Sequence, residues 1–234
     1  MPRFDIIKEV EVAQTYRNSS VVGAFDIDEG KISEHFSGNI AIEGEDWNVG
    51  LIVGGSGTGK TTIAKDAFGD GYFNGYEYDD GTVIDNMPKN KSVKDIMYTF
   101  TSVGFASPPS WLKPYNVLSN GEKMRVDLAR SILEEADVIT FDEFTSVVDR
   151  QVAKTSSYAI SKAVRKLDAK FIAVACHKDI IDWLEPDWIY DTDEKTFHYF
   201  TKGDQGAQKL TLRSDELKIK TKVAFGESLE NITI

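Results

Sequence analysis

The chain has 234 residues, of which 41% are hydrophobic and 28% charged, a composition typical of a folded globular protein. Its formal net charge of −11 disfavours bulk binding to DNA or to anionic membranes. A single cysteine, Cys176, excludes an intrachain disulfide, and the histidines are too widely spaced for a zinc motif. No apolar run approaches the about 18 residues of a membrane span, and the acid-containing N-terminal stretch is unlike a signal peptide, so we expect a cytoplasmic protein.

The first part of the chain is predicted to be rich in β-strands. Short β-type runs cover residues 4–13, 21–27 and 40–42, separated by Gly, Asn and Asp. The apolar run Leu-Ile-Val at residues 51–53 is typical of a strand buried on both faces of a sheet. A helix is predicted to follow over residues 61–68.

The rest of the chain alternates predicted helices and strands, which favours an α/β core with a parallel sheet. Helices are predicted over residues 92–103, 121–135, 152–167 and 180–184, the first capped by Ser92. Strands are predicted over residues 138–141 and 171–175, with a hairpin of residues 188–190 and 197–200. Residues 70–80 and 106–115 are predicted loops, and lysines that alternate with apolar residues over 217–223 predict an edge strand.

A glycine-rich loop follows the buried strand of residues 51–53 and matches the phosphate-loop pattern G-x-x-x-x-G-K-[ST] at every fixed position. Its backbone N–H groups and the N-terminus of the next helix would cradle phosphates. Lys60 would contact the β- and γ-phosphates, Thr61 would bind Mg²⁺, and Thr62 would contact the α-phosphate. The predicted nucleotide contacts are Gly54, Gly55, Ser56, Gly57, Thr58, Gly59, Lys60, Thr61 and Thr62. The alternative, a glycine-rich turn before a helix, explains fewer of these positions.

A second phosphate-site element is the sequence VITFDE at residues 138–143. An apolar strand that ends in two acids would place Asp142 at Mg²⁺ and Glu143 where it can activate the attacking water as a general base. Acids often follow strands, so this pair carries weight only together with the phosphate loop.

A third motif, LSNGE at residues 118–122, has an ordinary structural explanation, since Ser119 and Glu122 form the pattern of a capping box. The longer stretch LSNGEKMRVDLARSILEEADVITFDEFTSVVD, however, closely resembles the signature-to-D-loop region of ABC-type ATPases. The resemblance places the signature at residues 118–122, the Walker B acids at Asp142 and Glu143, and the D-loop at residues 146–149. His177, directly after the apolar run FIAVA, falls where that family has its switch histidine.

The resemblance implies a head-to-tail homodimer with two composite ATP sites. The signature of one subunit, which comprises Ser119, Asn120, Gly121 and Glu122, would close over the ATP and Mg²⁺ on the phosphate loop of the other. Asp149 and His177 would complete the catalytic set formed by Glu143 and Lys60. The structural alternatives are that Asp149 caps the following helix and that His177 ends a strand.

Two expected family residues are not found at their usual places. No glutamine lies between the phosphate loop and the signature, and the remaining candidate for that magnesium-sensing amide is Asn86. The aromatic residue that stacks on adenine in the family has three candidates ahead of the phosphate loop. Phe25 is favoured on spacing over Phe36 and Tyr16, although each could equally be a core residue.

Phe144 replaces the proline that usually follows the Walker B glutamate. Together with the sequence ACHKDIIDWLEPDW at residues 175–188, it resembles non-transporter ABC ATPases of bacteria and phages, some of which are joined to acetyltransferase-like domains. The predicted partner besides a second copy of the chain is therefore an unknown protein, with acetyltransferase-like and nucleic-acid-associated proteins as candidates.

The fold class predicted from these motifs is α/β, a P-loop NTPase parallel-sheet core with an N-terminal antiparallel β region. A small helical subdomain at about residues 85–135 carries the signature, within an ATPase domain of residues 1–190, and residues 191–234 form a β-rich extension. The alternative functions are a transporter ATPase subunit with a separate membrane chain and a nucleic-acid-associated ABC ATPase. A small-molecule kinase would not need the signature, and a chromosome-type ATPase would need a coiled-coil insertion for which the chain has no room.

Overall fold

Two separate sheets organise the part of the chain that the structure, a computed structural model, describes: residues 3–11, 13–25, 32–146 and 148–200. The strands are β1 (Arg3–Val10), β2 (Ile32–Asn39), β3 (Val49–Val53), β4 (Ile139–Phe141), β5 (Phe171–Ala175), β6 (Trp188–Asp191) and β7 (Thr196–Tyr199). The helices are α1 (Tyr16–Phe25), α2 (Lys60–Phe68), α3 (Val93–Ser102), α4 (Pro108–Trp111), α5 (Asn120–Leu133), α6 (Arg150–Lys166) and α7 (Ile180–Leu184). Short 3-10 turns cover Gly69–Gly71, Ile84–Asn86 and Tyr115–Val117.

The central sheet has the strand order β4-β5-β3-β6-β7, in which only the β6–β7 pair is antiparallel. Strands β3 and β5 are buried along their whole length, as expected for apolar strands covered on both faces. Because β3, β4 and β5 are parallel, their carboxyl ends lie at one edge of the sheet. The phosphate loop, Asp142 and His177 each follow one of these three strands, so the fold gathers the predicted site at this edge.

The N-terminal region differs in part from the prediction. The first strand is confirmed and pairs antiparallel with β2, from Arg3 opposite Asn39 to Val10 opposite Ile32. The predicted strand at residues 21–27 is wrong, because its described part belongs to helix α1, and residues 26 and 27 lie outside the described residues. The predicted strand at residues 40–42 is also wrong: both isoleucines are buried, but the chain there forms no strand.

The hydrophobic core lies on both faces of the central sheet. One face packs against α3, α5 and α6 and buries large side chains such as Phe100, Val126 and Ile160. The other face packs against α2 and the β1–β2 hairpin around Trp188, which is fully buried. Burial of this apolar surface is the main term that fixes the sheet under the site.

The helical region around the signature is attached to the core by an aromatic pair over a buried acid. The rings of Tyr78 and Tyr115 stack with centroids 3.9 Å apart. Their hydroxyls donate to the Asp127 carboxylate at 2.8 and 2.7 Å. Burial raises the pKa of Asp127, an effect that the two phenol hydrogen bonds oppose. The loop before α3 is thereby fixed to the side of α5.

The described end of the chain confirms the predicted hairpin, since β6 and β7 pair antiparallel from Trp188 opposite Tyr199. The predicted edge strand at residues 217–223, and the extension beyond residue 200, lie outside the described residues. Of the helices that are described, none has the length and apolarity to span a bilayer. The observed architecture confirms the predicted α/β class with an antiparallel N-terminal sheet.

Candidate functional site

The phosphate loop turns directly out of β3 and ends where α2 begins at Lys60. Gly57 and Gly59 have φ angles of 82° and 87°, which residues with a Cβ rarely adopt, so the glycines are required by the turn itself. Lys60 is only 8% exposed, and its ammonium donates to the Gly55 carbonyl at 2.5 Å. The Lys60 ammonium thus reaches across the loop to a backbone carbonyl, which a phosphate oxygen would replace as its acceptor.

The turn after β6 holds the phosphate loop from outside, a contact that the sequence analysis missed. The hydroxyls of Thr58 and Thr192 are 2.5 Å apart, and the Gly55 N–H donates to both carboxylate oxygens of Asp193, at 2.9 and 3.1 Å. Because β6 is parallel to β3, the sequence Asp-Thr-Asp at its carboxyl end had to lie at the same edge as the loop. A prediction of the strand order would have found these residues.

Of the three aromatic candidates for adenine stacking, Phe36 contacts the phosphate loop. A Cβ placed on Gly59 would lie 2.3 Å from the Phe36 ring. Phe25 and Tyr16 lie on α1 with 75% and 90% of their surfaces exposed. The hairpin also brings the Lys8 ammonium to 2.5 Å from the Thr62 hydroxyl. Stacking of Phe25 on adenine stays a prediction, and no contact seen here supports it over Phe36.

The two predicted Walker B acids lie directly after β4 in a tight turn. The Asp142 carboxylate accepts from the Glu143 N–H at 2.8 Å and from the Tyr72 hydroxyl at 2.6 Å. Glu143 has a φ of 50°, an uncommon and strained conformation for a residue with a side chain, and its carboxylate accepts from the Ser146 hydroxyl at 2.6 Å. Strain of this kind is often found where a side chain must be held for chemistry.

Phe144, the residue that replaces proline, anchors this turn in the core. It is 2% exposed, its ring packs edge-on against Phe171 at 5.3 Å, and its N–H donates to the Val174 carbonyl at 2.8 Å. At this position the usual proline would restrict the backbone, whereas Phe144 holds the turn by burying its ring.

His177 lies between the two phosphate-site elements in the sheet order. It follows β5, which separates β4 with its acids from β3 with its glycine loop, and its side chain is exposed. The next residue, Lys178, forms an ion pair at 2.7 Å with Asp191, whose side chain is 2% exposed. This buried pair fixes the backbone on which the histidine is carried.

The predicted magnesium ligands differ in how well the structure supports them. The Thr61 hydroxyl and the Asp142 carboxylate supply the oxygen donors that Mg²⁺ prefers, and both follow strands that end at one edge of the sheet. Asn86 lies in a 3-10 turn, where its amide donates to Asp79 at 2.7 Å and to the Thr82 carbonyl at 3.0 Å. Asn86 thus closes its own loop, and a metal role for it is a prediction that these contacts do not support.

The signature residues form the capping box that the structural explanation requires. The Ser119 hydroxyl accepts from the Glu122 N–H at 3.4 Å, and the Ser119 N–H donates to the Glu122 carboxylate at 3.0 Å. Ser119 and Asn120 are exposed, whereas Gly121 is buried where a Cβ would lie 3.4 Å from Val152. The box orders the exposed N-terminus of α5, which is also what an anion site there would need.

Exchanging Glu122→Gln is expected to lower the free energy of unfolding by less than about 1 kcal/mol near pH 7, because glutamine keeps the capping geometry without the charge. The hydrogen bond from the Ser119 N–H holds the pKa of Glu122 below its ordinary value of 4.5. A carboxylate with a lowered pKa stabilises the fold above its unfolded pKa, and this contribution is lost as the pH falls through the folded value. Urea unfolding should show a difference at pH 7 that begins to shrink as the pH falls below the unfolded pKa of about 4.3; a pH-independent difference would contradict this assignment.

Asp149 acts as the N-cap of α6, as its structural explanation predicted. Its carboxylate accepts from the N–H groups of Gln151 and Val152 at 2.9 and 3.1 Å. The next residue, Arg150, pairs with Asp179 and lies 4.9 Å from the Trp183 ring centre. Through Arg150, the residue that follows the predicted D-loop, this region contacts Asp179 and Trp183 in the segment after His177.

The comparisons with known proteins agree with this geometry. No protein-family model matches the chain. Elongation factor 3 of Phytophthora infestans is 34% identical over 83 residues, which are 35% of this chain and 8% of that protein. The chain thus matches less than a tenth of the length of this curated relative.

Solved structures similar over most of the chain are nucleotide-binding cassettes. CbiO1 from Clostridium perfringens, part of the ABC transporter complex CbiONQ, is 17% identical with a TM-score of 0.58, over 94% of this chain and 95% of that one. A dimeric bacterial ABC transporter cassette is 16% identical with a TM-score of 0.51, over 80% of this chain and 94% of that one. The same cassette bound to ADP and Pi gives the same TM-score.

These likenesses establish the fold. The phosphate loop, the paired acids and the histidine lie at the sheet edge, and the signature lies at the start of α5. The glycine loop, the signature, the paired acids and the histidine occur in the order of the family, each at the element where the fold needs it. By its fold, the chain is similar to the nucleotide-binding cassettes of ABC transporters, and its motifs follow the order that the sequence resemblance predicts.

Proposed function

We propose that the protein hydrolyses ATP at two composite sites of a head-to-tail homodimer and couples this to conformational change in a partner. The observation that carries the proposal is that, within one chain, the phosphate-binding residues and the signature lie on different elements. The phosphate loop, Asp142 and His177 follow strands that end at one sheet edge, whereas the signature opens α5. The Ser119 hydrogen bonds go to its own helix, so its exposed end is available to a second subunit.

The residues at the sheet edge divide the chemistry among themselves. Lys60 exchanges the Gly55 carbonyl for the β- and γ-phosphates, and the loop N–H groups hold the phosphate oxygens. Thr61 and Asp142 would hold Mg²⁺, which when bound neutralises phosphate charge. Glu143 takes the proton of the attacking water, and His177 orients the γ-phosphate.

Dimer closure follows from differential affinity. ATP contacts both subunits only in the closed dimer, so ATP binding favours closure and the loss of the γ-phosphate favours opening. The solved neighbours include a dimeric cassette and a bacterial Atm1-family ABC exporter with ATP bound, which supports this cycle. The domain division into residues 1–190, with a helical subdomain at about 85–135, and 191–234 belongs to the same proposal.

Two observations bear on the partner. The net charge of −11 favours a protein partner over bulk nucleic acid, and the curated relative is named an elongation factor rather than a transporter. An acetyltransferase-like protein and a nucleic-acid-associated protein remain the candidates. A transporter subunit is the second function, favoured by the likeness to CbiO1, which belongs to a transporter complex.

The experiment that tests the function is the solution mass of the Glu143→Gln variant with and without MgATP. Removing the general base while keeping the shape should preserve nucleotide binding and trap the closed state. We expect the variant to double in mass with MgATP, while the unmodified protein turns over ATP and remains monomeric on average.

The matched control is Glu185→Gln, since Glu185 is also an exposed glutamate with a positive φ, 49°, but lies at the end of α7. This variant should hydrolyse ATP normally and should not accumulate as a dimer. A Glu143→Gln protein that stays monomeric while the unmodified protein hydrolyses ATP would contradict the composite site. The signature would then be only a helix cap.

A further inference from the structure

A short segment beside β4 brings a tyrosine to the Walker B acid. After the 3-10 turn of Gly69–Gly71, the chain runs parallel to β4, where Tyr72 forms a β-bridge with Thr140 and the Phe73 N–H donates to the Thr140 carbonyl at 2.9 Å. The fit is close, because a Cβ on Gly71 would lie 2.4 Å from the Val138 carbonyl oxygen. The backbone of Tyr72 is therefore fixed relative to the strand that carries Asp142.

The Tyr72 side chain completes the hydrogen bonding of Asp142. Its hydroxyl donates to Oδ2 at 2.6 Å, and the Glu143 N–H donates to Oδ1 at 2.8 Å. With one donor on each oxygen, the plane of the carboxylate is set by two fixed points. Among the residues that the structure describes, the donor on Oδ1 is the one that would remain without the phenol, and the group could then rotate about its own bond.

Tyr72 also contacts the helix that carries the other predicted magnesium ligand. The Lys65 ammonium on α2 lies 4.9 Å from the centre of the Tyr72 ring. Thr61 lies one helical turn before Lys65 on the same helix. Tyr72 thus contacts both α2 and the end of β4, the two elements that would carry the ligands of one Mg²⁺ ion.

We propose that Tyr72 is a positioning residue that holds the Asp142 carboxylate in the orientation needed for Mg²⁺. This inference rests on the proposed ATPase function. The hydroxyl sets which lone pairs of Asp142 face the metal and its waters, as partners of metal ligands do in other sites. The residue acts through Asp142, the partner of its hydroxyl.

The same segment supplies a matched control. The Tyr76 hydroxyl lies 3.0 Å from the Ser131 hydroxyl on α5, so Tyr76→Phe removes a phenol hydrogen bond that does not involve Asp142. Tyr72→Phe and Tyr76→Phe are therefore the same chemical change four residues apart in one segment. General loosening of the segment would change the Mg²⁺ requirement of both variants, whereas a change in the orientation of the Asp142 carboxylate would affect only Tyr72→Phe.

The test measures ATP binding rather than turnover, in the Glu143→Gln background, by calorimetry over a range of Mg²⁺ concentrations and in EDTA. Tyr72→Phe should raise the half-saturating Mg²⁺ concentration about tenfold, as removal of a ligand's hydrogen-bond partner typically does. Its ATP affinity in EDTA should be unchanged, and Tyr76→Phe should behave as the parent under both conditions. In an Asp142→Asn background, Tyr72→Phe should have no further effect on the Mg²⁺ requirement.

Each other outcome overturns a defined part of the inference. An unchanged or lower Mg²⁺ requirement in a Tyr72→Phe protein that binds ATP would overturn the positioning role alone. An equal shift in Tyr76→Phe would assign the effect to the segment as a whole. Failure of the parent protein to bind ATP would overturn the proposed function and the role of Tyr72 together.

Discussion

Replacing Gly59 by alanine is expected to weaken ATP binding by about 100-fold or more, equivalent to about 3 kcal/mol. Two costs combine at this position. The φ of 87° is unfavourable for alanine by about 1–2 kcal/mol, and the new methyl would lie 2.3 Å from the Phe36 ring. Overpacking of this kind typically costs about 1–3 kcal/mol. Without nucleotide, we expect the phosphate loop of the Gly59→Ala variant to relax away from the Phe36 ring. Nucleotide binding must then restore the strained loop conformation, which lowers the affinity.

Gly57→Ala is the control, because Gly57 has a similar φ of 82° but open space at its Cβ position. It should show the conformational cost alone, about 1–2 kcal/mol. The double variant Phe36→Ala with Gly59→Ala should recover the part of the loss that is due to the contact. Calorimetric titration with ATP, with thermal melts to verify folding, measures all three. Equal affinities for the two glycine variants would show that Phe36 does not limit the loop.

The site was predictable where its chemistry lies in contiguous sequence. The phosphate loop and the paired acids Asp142 and Glu143 are each held in a few consecutive residues, and their spacing is set by local backbone geometry. Tyr72 and Asp193 could not be found this way, because each reaches the site by pairing with a residue distant in sequence. Such contacts depend on strand order, which local patterns do not specify.

The errors in the N-terminal region have the same physical origin. Val21 and Val22 favour a strand by local propensity, yet they lie in α1, whose start is stabilised by the Thr15 hydroxyl accepting from the Asn18 N–H at 3.2 Å. None of the α1 residues is buried, so no sheet face selects the extended conformation. Ile40 and Ile42 show the reverse case, since both are buried without forming a strand. Burial and propensity indicate a strand only where a pairing partner exists.

Removing the Asp187 carboxylate is expected to destabilise the fold by about 1–3 kcal/mol, the usual cost of leaving buried hydrogen-bond donors without an acceptor. Asp187 is 8% exposed and precedes β6 at the sheet edge opposite the phosphate loop. Its carboxylate accepts from the N–H groups of Asn48 and Val49, both at 2.9 Å, and from Arg165 at 2.8 and 2.9 Å. Asp187→Ala would leave the buried N–H of Val49 and the partly buried donors of Asn48 and Arg165 without this acceptor.

Asp179→Ala provides the comparison, since Asp179 also pairs with an arginine, Arg150, but both side chains are more than 40% exposed. Its loss should cost less than about 1 kcal/mol, as for other surface ion pairs. Asp187→Asn should fall between the two, because the amide oxygen can still accept from the Asn48 and Val49 N–H groups, which both donate to Oδ2, whereas the charge opposite Arg165 is lost. Urea unfolding at pH 7 gives all three free energies. If Asp187→Ala cost no more than Asp179→Ala, the Asp187 carboxylate would not help to anchor the strand that carries the phosphate loop.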